Sequence, residues 1–269
     1  MSHEWIIVIT GTVIGFFSGL FGIGGSSVAT PVLRVLDVPR LVALASPLPA
    51  TLPIGLAGGF AYLRRGLVRW RIVGWTVLGG VPAAAAGAWL TEIVPGRVLM
   101  ALAGSFVLAV GLRVLLGRPR TAPADPSLAI PPALLLAIGV SSGFVSGLLA
   151  NGGGFLLVPA YLLLCRFTPA QAAANALVAA AILAVPDTLV HWRLGHIDPR
   201  LVLLLSAGVL PAAYLGARAG IALRPARARL LFGCFMILFG AFFLLRTLYR
   251  AEVYGWLSQL VSLAPRTHA

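Results

Sequence analysis

Lysine is absent from this 269-residue chain, and its acids number only seven: Glu4, Asp37, Glu92, Asp125, Asp187, Asp198 and Glu252. Charged residues make up 10% of the chain and hydrophobic ones 59%, whereas a soluble domain carries about 25% charge. That deficit excludes an ordinary soluble domain and points to a polytopic membrane protein. The four histidines and seven acids fall mostly in loops or near the termini, and HExxH does not occur. Membrane-embedded hydrolases and metalloenzymes need such clusters, so no enzymatic activity, metal or other cofactor is expected. Cys165 and Cys234 are the only cysteines, both in apolar runs; this leaves no disulfide framework or metal knuckle, and both read as core residues. The net charge of +13 comes entirely from arginines, twenty of them, scattered singly or in twos between apolar runs. A nucleic-acid surface would concentrate them on one face, so the partners expected are a lipid bilayer and a small solute.

Eight apolar segments follow one another, near Trp5 to Leu33, Leu41 to Leu63, Ile72 to Leu90, Val98 to Leu116, Leu128 to Leu164, Ala170 to Trp192, Leu201 to Leu223 and Leu230 to Leu245. Most match the ~20 residues that a helix needs to cross hydrocarbon. The first and fifth are too long for one straight crossing. The N-terminal run has no basic n-region and no small-residue cleavage site, so it reads as a first span and not a signal peptide. Residues 117–127, GRPRTAPADPS, carry three prolines and three charges and read as a solvated linker. The expected organisation is a membrane repeat over 1–116, the linker over 117–127, a second repeat over 128–248, and an interfacial helix and tail over 249–269. In that last stretch Tyr249, Val253, Trp256, Leu257, Leu260 and Val261 recur at helical spacing behind Arg246 and Arg250.

The two halves are copies. A shift of 128 places Gly11, Gly15, Phe16, Ser18, Gly19, Leu20, Gly24, Gly25 and Pro31 on Gly139, Gly143, Phe144, Ser146, Gly147, Leu148, Gly152, Gly153 and Pro159. A shift of 129 then places Arg64, Gly66, Arg71, Gly79, Pro82 and Gly87 on Arg193, Gly195, Arg200, Gly208, Pro211 and Gly216. Duplicated multi-span units are the architecture of many secondary transporters, with substrate held where the repeats meet. The fold class expected is therefore all-α, with two homologous four-segment repeats, about eight spans, and a glycine-rich break after the first helix of each.

Two kinds of glycine are distinguishable. Gly11, Gly15 and Gly19, like Gly139, Gly143 and Gly147, recur every four residues and form a smooth stripe for close helix contact. Gly22, Gly24 and Gly25, then Gly152, Gly153 and Gly154, are too dense for a stable helix, since each costs about 0.8–1 kcal/mol relative to Ala. Unwinding at membrane depth is tolerated only inside protein or beside a water-filled cavity. A helix restarting there presents unpartnered amides and the positive end of its dipole, a setting for a small anion. Ser26, Ser27 and Asn151 are candidate side-chain donors. The alternative is a tight re-entrant bend with no ligand.

These motifs, with Pro31 and Pro159 and the segments Ala45-Ser46-Pro47-Leu48 and Ala174-Asn175-Ala176-Leu177, resemble the TauE/SafE family of sulfite and organosulfonate exporters. The resemblance covers nearly the whole chain. It implies secondary transport of small sulfur-containing anions across the bacterial inner membrane, with export as the expected direction. The half-sites differ: Asn151 is matched by Ile23, and Asn175 by Ser46. Ser46 and Asn175 join the breaks as candidate substrate-binding residues because neither carries a charge that an interface would explain.

Asp187 and His191 stand four apart and share a helix face, a candidate proton relay, with an interfacial ion pair between Asp187 and Arg193 or another loop arginine as the alternative. Arg218 reads as a residue that snorkels to the headgroups, with attraction of a substrate anion as the alternative. The prolines of SPLPATLP, Pro47, Pro49 and Pro53, predict a kink in the second segment. A passive anion channel is the competing function, since glycine-rich loops also line pores. Arginine counts favour one membrane side by 12 to 8 for parallel and inverted repeats alike, so the positive-inside rule does not choose. The length of the first and fifth segments favours inversion. Whether the chain works as a homo-oligomer stays open.

Overall fold

The computed structural model describes residues 2–25, 29–30, 33, 36, 38–90, 96–116, 130–150, 152–238, 240–241 and 244–245. Among these there is no strand. The helices are α1 (Ser2–Phe21), α2 (Arg40–Ala45), α3 (Thr51–Leu63), α4 (Trp70–Leu90), α5 (Gly96–Leu116), α6 (Pro132–Leu149), α7 (Gly154–Leu163), α8 (Pro169–Arg193) and α9 (Pro199–Ala222), followed by helical residues 225–238. Five of them, α1, α4, α6, α8 and α9, are long and apolar enough to cross a membrane, while α3 and α7 are shorter apolar helices. The linker 117–127, the expected interfacial helix over 249–269, Pro31, Ser26, Ser27 and Asn151 lie outside the described residues.

Three apolar segments are divided, the first at residues 22–25, where the chain leaves helix after α1. The second is interrupted over residues 46–50, between α2 and α3, where Pro47 and Pro49 stand. The fifth is cut between α6 and α7, where Ala150, Gly152 and Gly153 all take positive φ. Helix starts follow local chemistry. Thr168 caps α8 with its side chain on the Gln171 amide while Gln171 reaches back to the Thr168 amide, a reciprocal cap that satisfies two orphan donors. Asp198 caps α9 through the Arg200 amide at 2.8 Å, and Pro199 follows at the first turn.

The glycine stripes explain the packing. Gly11, Gly15 and Gly19 of α1 lie against the backbone of Leu205, Val209 and Ala213 in α9. Gly139, Gly143 and Gly147 of α6 lie against Thr76, Gly80 and Ala84 in α4. In return, Gly208 and Gly216 of α9 meet Val8, Thr12, Phe16 and Leu20, while Gly79 and Gly87 of α4 meet Leu136, Val140, Phe144 and Leu148. The offsets of 128 and 129 found in the sequence carry one contact set onto the other. A side chain at any stripe position would wedge two backbones apart. Hydrophobic burial gives little drive for helix association in lipid, so such close van der Waals contact carries much of it. Phe17 of α1 also stacks on Phe235 of the 225–238 helix, and Phe21 meets Phe232 edge-on and Phe235 at a tilt.

In the centre α3 and α8 run antiparallel: Gly55 faces Ala181 and Leu177, whereas Gly58 and Gly59, further along α3, face Leu177 and Val178 of α8. One exposed cysteine corrects the sequence reading. Cys165 is buried as expected, but Cys234 is on the outside of its helix, because an apolar run in a membrane protein also has a lipid-facing side.

Candidate functional site

The two breaks meet at the core of the molecule. Gly154, which opens α7, lies against the backbone of Gly22, Ile23 and Gly24. Gly22 faces Ala173 near the start of α8, and Gly152 faces Thr51 at the start of α3. All six break glycines are buried. Gly22 and Gly24 have φ of 75° and 73°, and Gly152 and Gly153 have φ of 68° and 73°, a region that residues with a Cβ seldom enter. Ser18 holds the first break by donating to the Gly24 carbonyl at 3.0 Å. Of the amides expected to be left over at α7, Gly154 donates to Gly152 O at 2.9 Å and Leu156 to Gly153 O at 3.1 Å. In this conformation those two donors serve the break itself.

Asn175 and Ser46 have a different employment from the breaks. Asn175 accepts from the Arg69 amide at 2.8 Å and donates to Leu67 O at 3.2 Å and Gln171 O at 2.7 Å. Ser46 accepts from the Asp198 amide at 2.9 Å. Each therefore pins the turn that precedes α4 or α9 in the other half. Both side chains are fully buried, and a buried amide left without a partner costs about 1–3 kcal/mol. Asn175→Ala is accordingly expected to lower the melting temperature of the purified protein by several degrees. Thermal unfolding in detergent checks this; an unchanged melting curve would show that the clamp contributes nothing.

A second polar cluster lies beside the second break. Asp187, fully buried, accepts from Ser146 of α6 at 2.8 Å, and its other oxygen has no partner. Its partner is thus Ser146 rather than Arg193. His191, also fully buried, meets His196 with the two Nδ1 atoms 3.1 Å apart. Asp187 and His191 share a face of α8, but no direct hydrogen bond joins them. The Thr51 hydroxyl, buried against Gly152, also has no partner. Arg218 is exposed, its guanidinium 6.0 Å from the Tyr214 ring.

Sequence reasoning did not single out Thr51, Ser146 or His196 as site residues. Ser146 had a signal in its repeated GxxSG context, and His196 stands five residues after His191. Thr51 had none. The first half also lacks the second cluster, since Asp187 and His191 correspond to Gly58 and Tyr62. Tyr62 instead donates to Gly19 O at 3.0 Å.

Helices long enough to span a bilayer, packed through glycine stripes around two apposed breaks, define a multi-pass membrane protein of transporter type. Residues 7–243 match the family described as sulfite exporter TauE/SafE, and the chain belongs to that family. It is similar to the probable membrane transporter protein YunE of Bacillus subtilis (strain 168), 26% identical over 81% of this chain and 87% of the relative. A probable membrane transporter protein of Xylella fastidiosa (strain 9a5c) is 29% identical over 80% of this chain and 85% of its own length. No solved structure matches the chain.

Proposed function

We propose that the protein is a secondary transporter that exports small sulfur-containing anions, sulfite or organosulfonates, across the bacterial inner membrane, with substrate held at the junction of the two breaks. The observation that carries this reading is the contact of Gly154 with Gly22, Ile23 and Gly24. Transporters built from repeats hold substrate at that kind of junction. The substrate class follows the family description of a sulfite exporter. Gly22, Gly24, Gly25, Gly152, Gly153 and Gly154 supply backbone in this reading. Ser26, Ser27 and Asn151 add side chains, Thr51 adds a buried hydroxyl, and Ser46 and Asn175 hold the surrounding turns in place. Asp187 and His191 are the groups available for proton coupling.

The halves act as inverted repeats in the same proposal. Support comes from the antiparallel course of α3 and α8, which correspond under the 129 shift, and from the return of α7 along α6. Gly153 lies beside Ser146, while Tyr161 bonds Thr76 at 2.9 Å, and Thr76 faces Gly139. Inversion predicts that the exposed turns after α3 and α8 lie on opposite sides. In a background without Cys165 and Cys234, an impermeant thiol reagent added outside should label only one of Arg65→Cys and Leu194→Cys. Labelling of both from one side contradicts inversion.

Counterflow in proteoliposomes tests the function. Vesicles preloaded with sulfite, taurine, sulfoacetate or thiosulfate should transiently concentrate the labelled form of at least one. Failure with every one of the four overturns the substrate class. A conductance that needs no anion on the opposite side and ignores the proton gradient would instead mark a passive channel.

A further inference from the structure

The second polar cluster does not end inside the membrane helices. His196 lies in the turn between α8 and α9, half-buried, with its ring facing that of His191 at a centroid distance of 5.4 Å. The turn is fixed from several sides. The His196 amide donates to His191 O at 3.0 Å, the Asp198 amide donates to Ser46, and Ile197 packs on Ala45, Leu48 and Ala150. With two Nδ1 atoms 3.1 Å apart, one ring must donate and the other accept, so the pair shares a proton. Asp187 stands one turn deeper on the same face, about 6 Å along the axis, and Ser146 joins it to the break. The Ser146 hydroxyl lies 3.5 Å from where a side chain on Gly153 would begin.

We propose that His196 is the solvent-side mouth of a proton path that runs through His191 to Asp187 and delivers a proton beside the second break. The Asp187 oxygen without a partner is the acceptor, and one water or a turn of the His191 ring bridges the gap between them. No other acid or base among the described residues interrupts the route. Arg193 is exposed at the end of α8, Asp198 is engaged in capping α9, and Arg200 is paired with Glu4 of α1. α6 brings Ser146, the α2–α3 region brings Ser46 and Thr51, and α7 brings Tyr161, already bonded to Thr76. Arg71 stands at the far end of α4. An anion beside the break and an ionised Asp187 repel each other, so the neutral acid accompanies the anion. The first half, with Gly58 and Tyr62 at these places, has no counterpart, and protons therefore enter by one half only.

The proposal rests on the transporter reading for its purpose but not for its test, which needs no transported anion. Time-resolved infrared spectroscopy of the purified full chain after a downward pH jump follows protonation of Asp187 through its carboxylic C=O band, assigned by loss in Asp187→Asn. His196→Ala should slow the appearance of this band by about 10²-fold, the scale of a lost positioned proton donor. Added imidazole should restore the rate. His196→Gln, which keeps a hydrogen-bonding side chain but carries no titrating proton, should be equally slow and stay folded. Ile197→Ala, which loosens the same turn and keeps both rings, should protonate at close to the parent rate. Parent-like kinetics in His196→Gln, or slowing that imidazole does not relieve, overturns the path. Failure of counterflow with intact path kinetics overturns only the transport reading.

Discussion

Gly153→Val is expected to abolish anion counterflow while the protein still inserts and purifies as a folded species. Gly153 sits at φ 73°, where an L-residue costs roughly 1–2 kcal/mol and a β-branched one more. A side chain there begins 3.0 Å from Leu183 and 3.5 Å from the Ser146 hydroxyl, so it pushes on the contact that holds Asp187. Gly66→Val separates strain from place. Gly66 has φ 66° with nothing within 4 Å of an added side chain, and this variant should lose stability but keep counterflow. Equal counterflow rates in Gly153→Val and the parent would show that the second break is a plain connector.

A comparably large effect, on assembly rather than transport, is expected from Gly147→Ala. Its added methyl runs into the Ala84 carbonyl and the Ala88 amide of α4. Neither is a flexible side-chain end that can move aside, so α4 and α6 must separate along their length. Overpacking costs typically 1–3 kcal/mol, and sometimes more; a backbone contact belongs at the upper end. Gly74→Ala in α4 is the control, because nothing lies within 4 Å of an added methyl there, and it should gain about 0.8–1 kcal/mol of helix propensity. Melting curves in detergent should move in opposite directions. A shared direction would mean that the stripe does not set the helix spacing.

The sequence made the stripes and breaks legible because both are local patterns: small residues at four-residue spacing, and glycines too dense for helix. It could not show which helix each stripe meets, since Gly147 and Ala84 are joined only by the tertiary fold. The same holds for Asn175 and Ser46. An uncharged polar residue in an apolar segment looks alike whether it faces a cavity or a distant backbone amide. Asp187 was visible as an ionisable residue in a span, but its partner Ser146 lies 41 residues away. Its reach to solvent depends on how the 194–198 turn folds back. The kink expected from SPLPATLP became a full interruption because Pro47 and Pro49 stand together between α2 and α3.

The central claim, that the transported anion binds where the two breaks meet, is tested most directly at Thr51. Its hydroxyl is buried against Gly152 with no partner of its own. In a background without Cys165 and Cys234, Thr51→Cys in proteoliposomes is labelled with a maleimide while counterflow of sulfoacetate is measured on the same preparation. Saturating sulfoacetate should slow labelling several-fold, and equal chloride should not. Labelling at the same rate with and without sulfoacetate, in a preparation that still exchanges it, would place the anion elsewhere.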